Sequence, residues 1–229
     1  MAEQRVSNDR KKELEQLDSF QKNLIKTMAF LKEYRKQVVL GVSAVVAVIL
    51  VFSGVMYSLQ KSEDTAALMI RQALIEYAKA KDPDKGYLEV EDNFQTIFKE
   101  YSNTIAGKQA RVKFAKICYE ASKFDQSFAY YKEALDLFED DGLMKNFLLT
   151  ALGHVSVARK DNEAAKQYFQ QVEKSDVDLL KDEAGYALAM LYEASGNKEE
   201  SKKMYEKIVS DYKDSIYIPI AKSKLASIK

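Results

Sequence analysis

"LYEASGNKEESKKMYEKIV", Leu191–Val209, is the stretch whose reading decides the fold. Its second to fifth letters echo Tyr119–Ser122, "YEAS", 73 residues upstream, which raises the question of whether the chain repeats itself. Fixed periods answer it, because internal repeats decide a fold more firmly than local propensity. Phe94, Tyr131, Phe169 and Tyr205 follow one another at 37, 38 and 36 residues, and three positions later Ile97, Ala134, Val172 and Ile208 keep step. Upstream, Tyr77, Phe114, Leu152 and Leu188 hold the same register, each followed by a small residue: Ala78, Ala115, Gly153 and Ala189. Val90, Ser127, Ala165 and Ser201 fall in step as well. The register between the second and fourth units is 74 residues, so the echo misses it by one; a turn one residue longer after Ser195 is expected to absorb the difference.

Each unit thus reads as a large apolar residue, a small one, an aromatic about 16 positions on, and an aliphatic three later. This order resembles the tetratricopeptide repeat, a helix-turn-helix of about 34 residues. In that repeat the small residue lets two helices pack closely and the aromatic fills the gap to the next unit. Tyr192, Gly196 and Tyr205 stand where the motif has tyrosine, glycine and an aromatic; elsewhere Val90 replaces the small residue and Ser156 the tyrosine. Leu225 and Ala226 begin the pattern again, as a lone final helix covering the open end of a stack would. The expected fold is all-α: a tetratricopeptide-like α-solenoid of about four hairpins plus a C-terminal capping helix over 66–229, after a single N-terminal transmembrane helix at 38–59 and a linker at 60–65.

Composition agrees with helices. There are 8 Gly and 2 Pro in 229 residues, too few for the turns that a strand-rich fold needs. Lys+Arg and Asp+Glu are equal at 35 each, which gives no reason to expect nucleic acid. Residues 38–59, "VVLGVSAVVAVILVFSGVMYSL", carry no charge. As a helix they extend about 33 Å, close to the roughly 30 Å of a bilayer's hydrocarbon. A buried core helix would have a polar face, and a cleaved signal would lie nearer Met1 and end in a small-x-small site; an uncleaved anchor is expected. Lys22, Lys26, Lys32, Arg35 and Lys36 precede it against Glu33 alone, which keeps the N-terminus in the cytoplasm and exports the rest. Gly41, Ser43, Ala44 and Ala47 sit in its cytoplasmic half, where small residues let helices approach. In the cytoplasmic segment 1–37, Leu14, Leu17, Leu24, Met28 and Leu31 form an amphipathic pattern, suited to a short coiled coil, a helix on the membrane surface or an extension of the anchor.

The first helices of a curved stack line its concave face. The register puts Val112, Lys116, Tyr119, Phe147, Thr150, His154, Val157, Tyr186 and Met190 there, a mixed wall suited to extended or partly folded chains. Some tetratricopeptide domains grip a C-terminal carboxylate with Lys and Asn in the first helices; here Ile75, Lys79, Val112, Lys116, Thr150 and His154 occupy those places, so no such clamp is expected. His154 is the sole histidine and reads as a wall residue, Cys118 as a buried thiol. No catalytic group, cofactor site or metal site is expected, since no phosphate loop, nucleophile elbow or ligand cluster is present in the sequence.

The flank and anchor "EYRKQVVLGVSAVVAVILVFSG", the helix "TAALMIRQALIEYAKA" and the block "GLMKNFLLTALGHVSVARKDNEAAKQYFQQV" together resemble the YfgM-like family, the ancillary subunit of the SecYEG translocon. The resemblance runs from about residue 30 to the end and rests on order and topology. It implies a bacterial inner-membrane protein, held in the bilayer by 38–59, whose periplasmic domain binds translocon subunits, periplasmic chaperones or exported client segments. It also implies a binding module rather than an enzyme, an accessory factor that passes exported proteins to those chaperones. A scaffold for another envelope assembly, or an organellar import receptor of opposite topology, are the alternatives.

Overall fold

The architecture comes from a computed structural model that describes residues 19–228, and every regular element among them is an α-helix. Residues 1–18, with Leu14 and Leu17 of the amphipathic pattern, lie outside the described residues. The helices are α1 (Ser19–Glu33), α2 (Arg35–Lys79), α3 (Pro83–Glu100), α4 (Ile105–Glu120), α5 (Phe124–Leu137), α6 (Gly142–Ala158), α7 (Asn162–Glu173), α8 (Lys181–Ala194), α9 (Lys198–Asp211) and α10 (Ile218–Ser227). The chain divides into two compact units, Met1–Ser58 and Leu59–Lys229.

The first unit holds α1 and the apolar part of α2. One stretch of α2 is long and apolar enough to cross a membrane, and none of its most apolar window is buried. The expected linker at 60–65 is not a break: α2 continues through it. "QKSEDT" contains neither Gly nor Pro, and its polar side chains bond along the helix instead of competing with it. Gln60 donates to Asp64 at 3.0 Å, and the Thr65 hydroxyl donates to the Lys61 carbonyl at 2.8 Å.

The second unit is four hairpins and a cap: the C-terminal turns of α2 with α3, α4 with α5, α6 with α7, α8 with α9, then α10 on α9. Five of the eight helices that start in this unit do so where the sequence supplies an acceptor for an orphan backbone N–H. Asp82, Thr104, Asp141, Asp161 and Asn197 accept from Lys85, Gly107, Met144, Ala164 and Glu200. The start of α4 gains a second cap from a distance, because the Glu63 carboxylate accepts from the N–H groups of both Ile105 and Ala106 at 2.7 Å.

Packing follows the repeat. Phe94, Tyr131, Phe169 and Tyr205 are all buried, as are Ile97, Ala134, Val172 and Ile208, and Val90, Ser127, Ala165 and Ser201. Phe114, Leu152 and Leu188 are buried with their small followers Ala115, Gly153 and Ala189. The first unit departs: Tyr77 is half-buried and Ala78 exposed. There the small residue sits on the partner helix. A Cβ on Gly86 of α3 would lie 2.7 Å from the Tyr77 ring, so the close approach is made from the other side.

The turns inside the last three hairpins repeat as well. Ser122, Lys160 and Gly196 have φ of 56°, 63° and 76°. In each turn the next N–H reaches back to the carbonyl five residues earlier: Lys123 to Cys118, Asp161 to Ser156, Asn197 to Tyr192. This is one helix-ending motif used three times. It also corrects the expected extra residue after Ser195. Ser122 and Gly196 occupy the same place, 74 residues apart, and the two turns have equal length. The tetrapeptide echo is therefore out of register by one: Tyr119 corresponds to Glu193, and Tyr192 to Cys118.

Candidate functional site

Two adjoining recesses open along the first helices, with Phe147 of α6 lining both. The first, about 430 Å³, is walled by Gln109, Val112 and Lys113 of α4, Leu143, Met144 and Phe147 of α6 with the capping Asp141, and Leu179 of the loop before α8. The second, about 370 Å³, lies between Lys116 and Tyr119 of α4, Thr150, Ala151, His154 and Val155 of α6, and Leu180 and Glu183 at the start of α8; Tyr131 lines its floor. Both are mainly apolar, with few polar groups to fix a ligand's orientation.

Those polar groups are largely engaged. His154 Nε2 lies 2.7 Å from Glu183 Oε1, and its ring meets the edge of Phe169 with centroids 5.2 Å apart. Lys116 Nζ is 3.7 Å from Glu120 on the exposed surface. Tyr131 at the floor is a neutral phenol near pH 7, and burial, then the charge of Glu120, pushes its hydroxyl further up. Asp141 is occupied in capping α6.

The loop that closes one wall is built from a side chain behind it. Asn146, buried, donates from Nδ2 to Ser175 Oγ at 2.8 Å and to the carbonyls of Val177 and Leu179 at 2.9 and 3.1 Å. This fixes the segment between α7 and α8 and puts Leu179 and Leu180 beside α6. Leu180 carries φ 64°, a left-handed backbone uncommon for leucine.

Of the nine residues expected on the concave face, six meet here: Val112, Lys116, Tyr119, Phe147, Thr150 and His154. Thr150 is buried, and its hydroxyl donates to the Asn146 carbonyl, so it shapes the floor and has no proton left to donate to a ligand. Val157 and Met190 are exposed but line neither recess. Tyr186 packs inward instead: its ring stacks on Tyr217 at 4.7 Å, in the cluster that seats α10. A capping helix takes that last face, so the register position that is open elsewhere is filled at the end of the stack. Leu143, Leu179, Leu180 and Glu183 were missed because they lie at helix starts and in a loop, where the repeat register does not reach.

Chemistry at the remaining singled-out residue is muted. Cys118 is fully buried, and burial, with the charge of Glu91 adding, pushes its thiol up to about 12. The thiol is neutral near pH 7, and the thiolate is the nucleophile. Among the described residues no group of three or more His, Cys, Asp and Glu comes together in a way that could hold a metal.

Residues 28–229 match the family described as tetratricopeptide repeat-like domain. A search of curated proteins found none similar to the chain.

Proposed function

The chain belongs to the tetratricopeptide repeat-like domain family, and from that premise we propose that it is a membrane-anchored module that binds other proteins through the paired recesses around Phe147. The partners in this reading are those of the YfgM-like resemblance: translocon subunits, exported segments and periplasmic chaperones, met on the periplasmic face of a bacterial inner membrane. The module accompanies exported proteins from the Sec channel to those chaperones and does no chemistry of its own.

One observation carries the proposal. Phe147 is 41% exposed between two mainly apolar recesses, on the helix row that a solenoid of this family presents to ligands. A large aromatic left open between pockets is the kind of anchor on which binding energy concentrates. The apolar stretch at 38–59 and its basic N-terminal flank support the topology. Tethering then raises the local concentration of the recesses at an exit site to the order of millimolar, so contacts with a passing chain can stay weak.

The test is a photo-crosslinking amino acid at Phe147 and, as a control, at exposed Lys132 of α5, in the full-length chain in bacterial membranes. Adducts with translocon subunits, nascent exported chains or periplasmic chaperones at 147, and few at 132, are expected. One stable folded partner from another envelope complex would overturn the Sec reading. Adducts at 132 with none at 147 would overturn the recess as the binding surface.

A further inference from the structure

We infer that α1 is a lipid-surface helix, which lays its apolar face on anionic phospholipid beside the membrane-spanning stretch. Phe20, Leu24, Met28 and Leu31 follow one another at four, four and three residues, which puts them on one face of α1. They are 71%, 50%, 63% and 44% exposed. Lys22 and Lys26 lie on the opposite side and Lys32 flanks the face; Arg35 and Lys36 follow at the start of α2. Against these five cations stands Glu33 alone between residues 22 and 36.

Two occupants could cover such a face, a bilayer surface or a second copy of α1, and charge decides between them. In a parallel pair two segments of five cations and one glutamate each would lie side by side, with Lys32 of both helices flanking the seam, which opposes pairing. Arg35, four residues past Leu31, continues the apolar stripe, so a paired seam would end on two arginines. On a membrane the same arginine reaches the headgroups while its stem stays in the apolar layer. Anionic headgroups complement every one of these cations.

The chain also delivers α1 to the surface. Leu31 precedes Val38, the first residue of the apolar stretch, by seven positions, or about 10 Å of helix. The last turns of α1 therefore lie within roughly one Debye length of the headgroups, where their attraction is little screened. Tyr34, which separates α1 from α2, is the one residue outside a helix between Ser19 and Lys79. The helical bonds run on across it, the Tyr34 N–H donating to the Phe30 carbonyl and the Val38 N–H to the Tyr34 carbonyl, both at 2.9 Å, so laying α1 in the interfacial plane requires the chain to turn at this residue on the membrane. A basic amphipathic helix with its apolar side a few ångströms into the acyl boundary is a recognised mode of surface binding.

The test uses the full-length chain with Cys118→Ala, spin-labelled through Leu24→Cys or Lys22→Cys, one chain per nanodisc. Discs contain phosphatidylcholine alone or with phosphatidylglycerol. With phosphatidylglycerol, the label at 24 is expected to be relaxed several-fold more by oxygen, which enters lipid, than by an aqueous nickel chelate, and the label at 22 the reverse. Replacing Lys22, Lys26 and Lys32 with Gln in the Leu24→Cys chain is expected to remove the difference. Circular dichroism of the same samples verifies that helix content is retained. Two results overturn the inference: both labels open to the aqueous chelate in the anionic discs, or, in discs holding two chains, labels at 24 within close range of each other. Neither bears on the recesses around Phe147, which are tested separately.

Discussion

A Cβ built on Gly153 would lie 2.5, 2.6 and 2.9 Å from three ring carbons of Phe169, which is itself fully buried. Neither partner has room to give, so Gly153→Ala is expected to destabilise the domain by about 1–3 kcal/mol through overpacking, seen as a lower midpoint in urea. The reverse holds at Lys160. There φ is 63°, a conformation that costs an L-residue roughly 1–2 kcal/mol, while a glycine takes it freely. Lys160→Gly is expected to raise stability by up to about 1 kcal/mol, seen as a higher urea midpoint, the glycine's larger entropy loss offsetting part of the gain; a lower midpoint would mean that the lysine side chain holds the turn. Cys118 should resist alkylation by iodoacetamide in the folded protein through mildly alkaline pH, because its thiol is lifted to about 12, and react on unfolding. At this scale the sequence was legible wherever a residue serves the repeat: the four aromatics at 94, 131, 169 and 205 are buried alike. It was not legible where two residues trade places, as Gly86 does for Ala78, because that exchange is between helices and leaves no period.

Helix ends carry the next set of consequences. α10 is held to the last hairpin by the Tyr186–Tyr217 stack and by Lys224, whose Nζ donates to both carboxylate oxygens of Glu193 at 2.8 Å. The Lys224 bond, with a smaller contribution from the Tyr205 hydroxyl, holds Glu193 below the usual carboxylate range despite some desolvation. A carboxylate with a depressed folded-state pKa contributes stability that is present above its unfolded pKa and lost as pH falls through the lowered value. Hydrogen exchange in α10 should therefore quicken on acidification below about pH 4, after allowance for the intrinsic rate. In Glu193→Gln the protection should be lower at neutral pH and change less with acid. Equal pH dependence in the two proteins would remove the pair from the account. The other exposed element end is that of α4, where Glu63 accepts two backbone N–H groups at a helix N-terminus. Glu63→Ala is expected to cost about 1 kcal/mol of domain stability, again by urea midpoint, although residue 63 falls in a segment that reads as a linker. The misreading has a physical cause: hydrophilic "QKSEDT" lacks the breakers that stop a helix, and the contact that gives it a purpose is made 42 residues away in sequence, at Ile105. The recess walls were half legible for a related reason. Phe147, His154 and Lys116 sit on helices whose phase the repeat sets, whereas Leu179 and Leu180 are placed by Asn146 through a loop.

On the scale of the molecule, every buried hydrophobic cluster among the described residues falls between Ala66 and Ala221, within the unit that begins at Leu59. A helical stack draws its stability from each repeat and its neighbours, so residues 59–229 hold what folding requires and the apolar stretch of α2 adds nothing to it. The fragment 59–229 is therefore expected to show the helical circular dichroism of the corresponding part of the full chain and to unfold at the same urea concentration, within experimental spread. Binding should respond oppositely. If the recesses act by effective concentration, a chain freed from the bilayer meets its partners at bulk concentration, orders of magnitude below the roughly millimolar that a tether gives. The fragment, exported to equal abundance with the crosslinker at Phe147, should then lose most of the adducts that the anchored protein forms, and a foreign membrane helix fused ahead of residue 59 should restore them. Restoration by an unrelated helix separates tethering from any specific role of "VVLGVSAVVAVILVFSGVMYSL". Undiminished adducts from the untethered fragment would show that the recesses bind tightly enough alone, and the argument from weak, anchored contacts would fail while the folded stack stood.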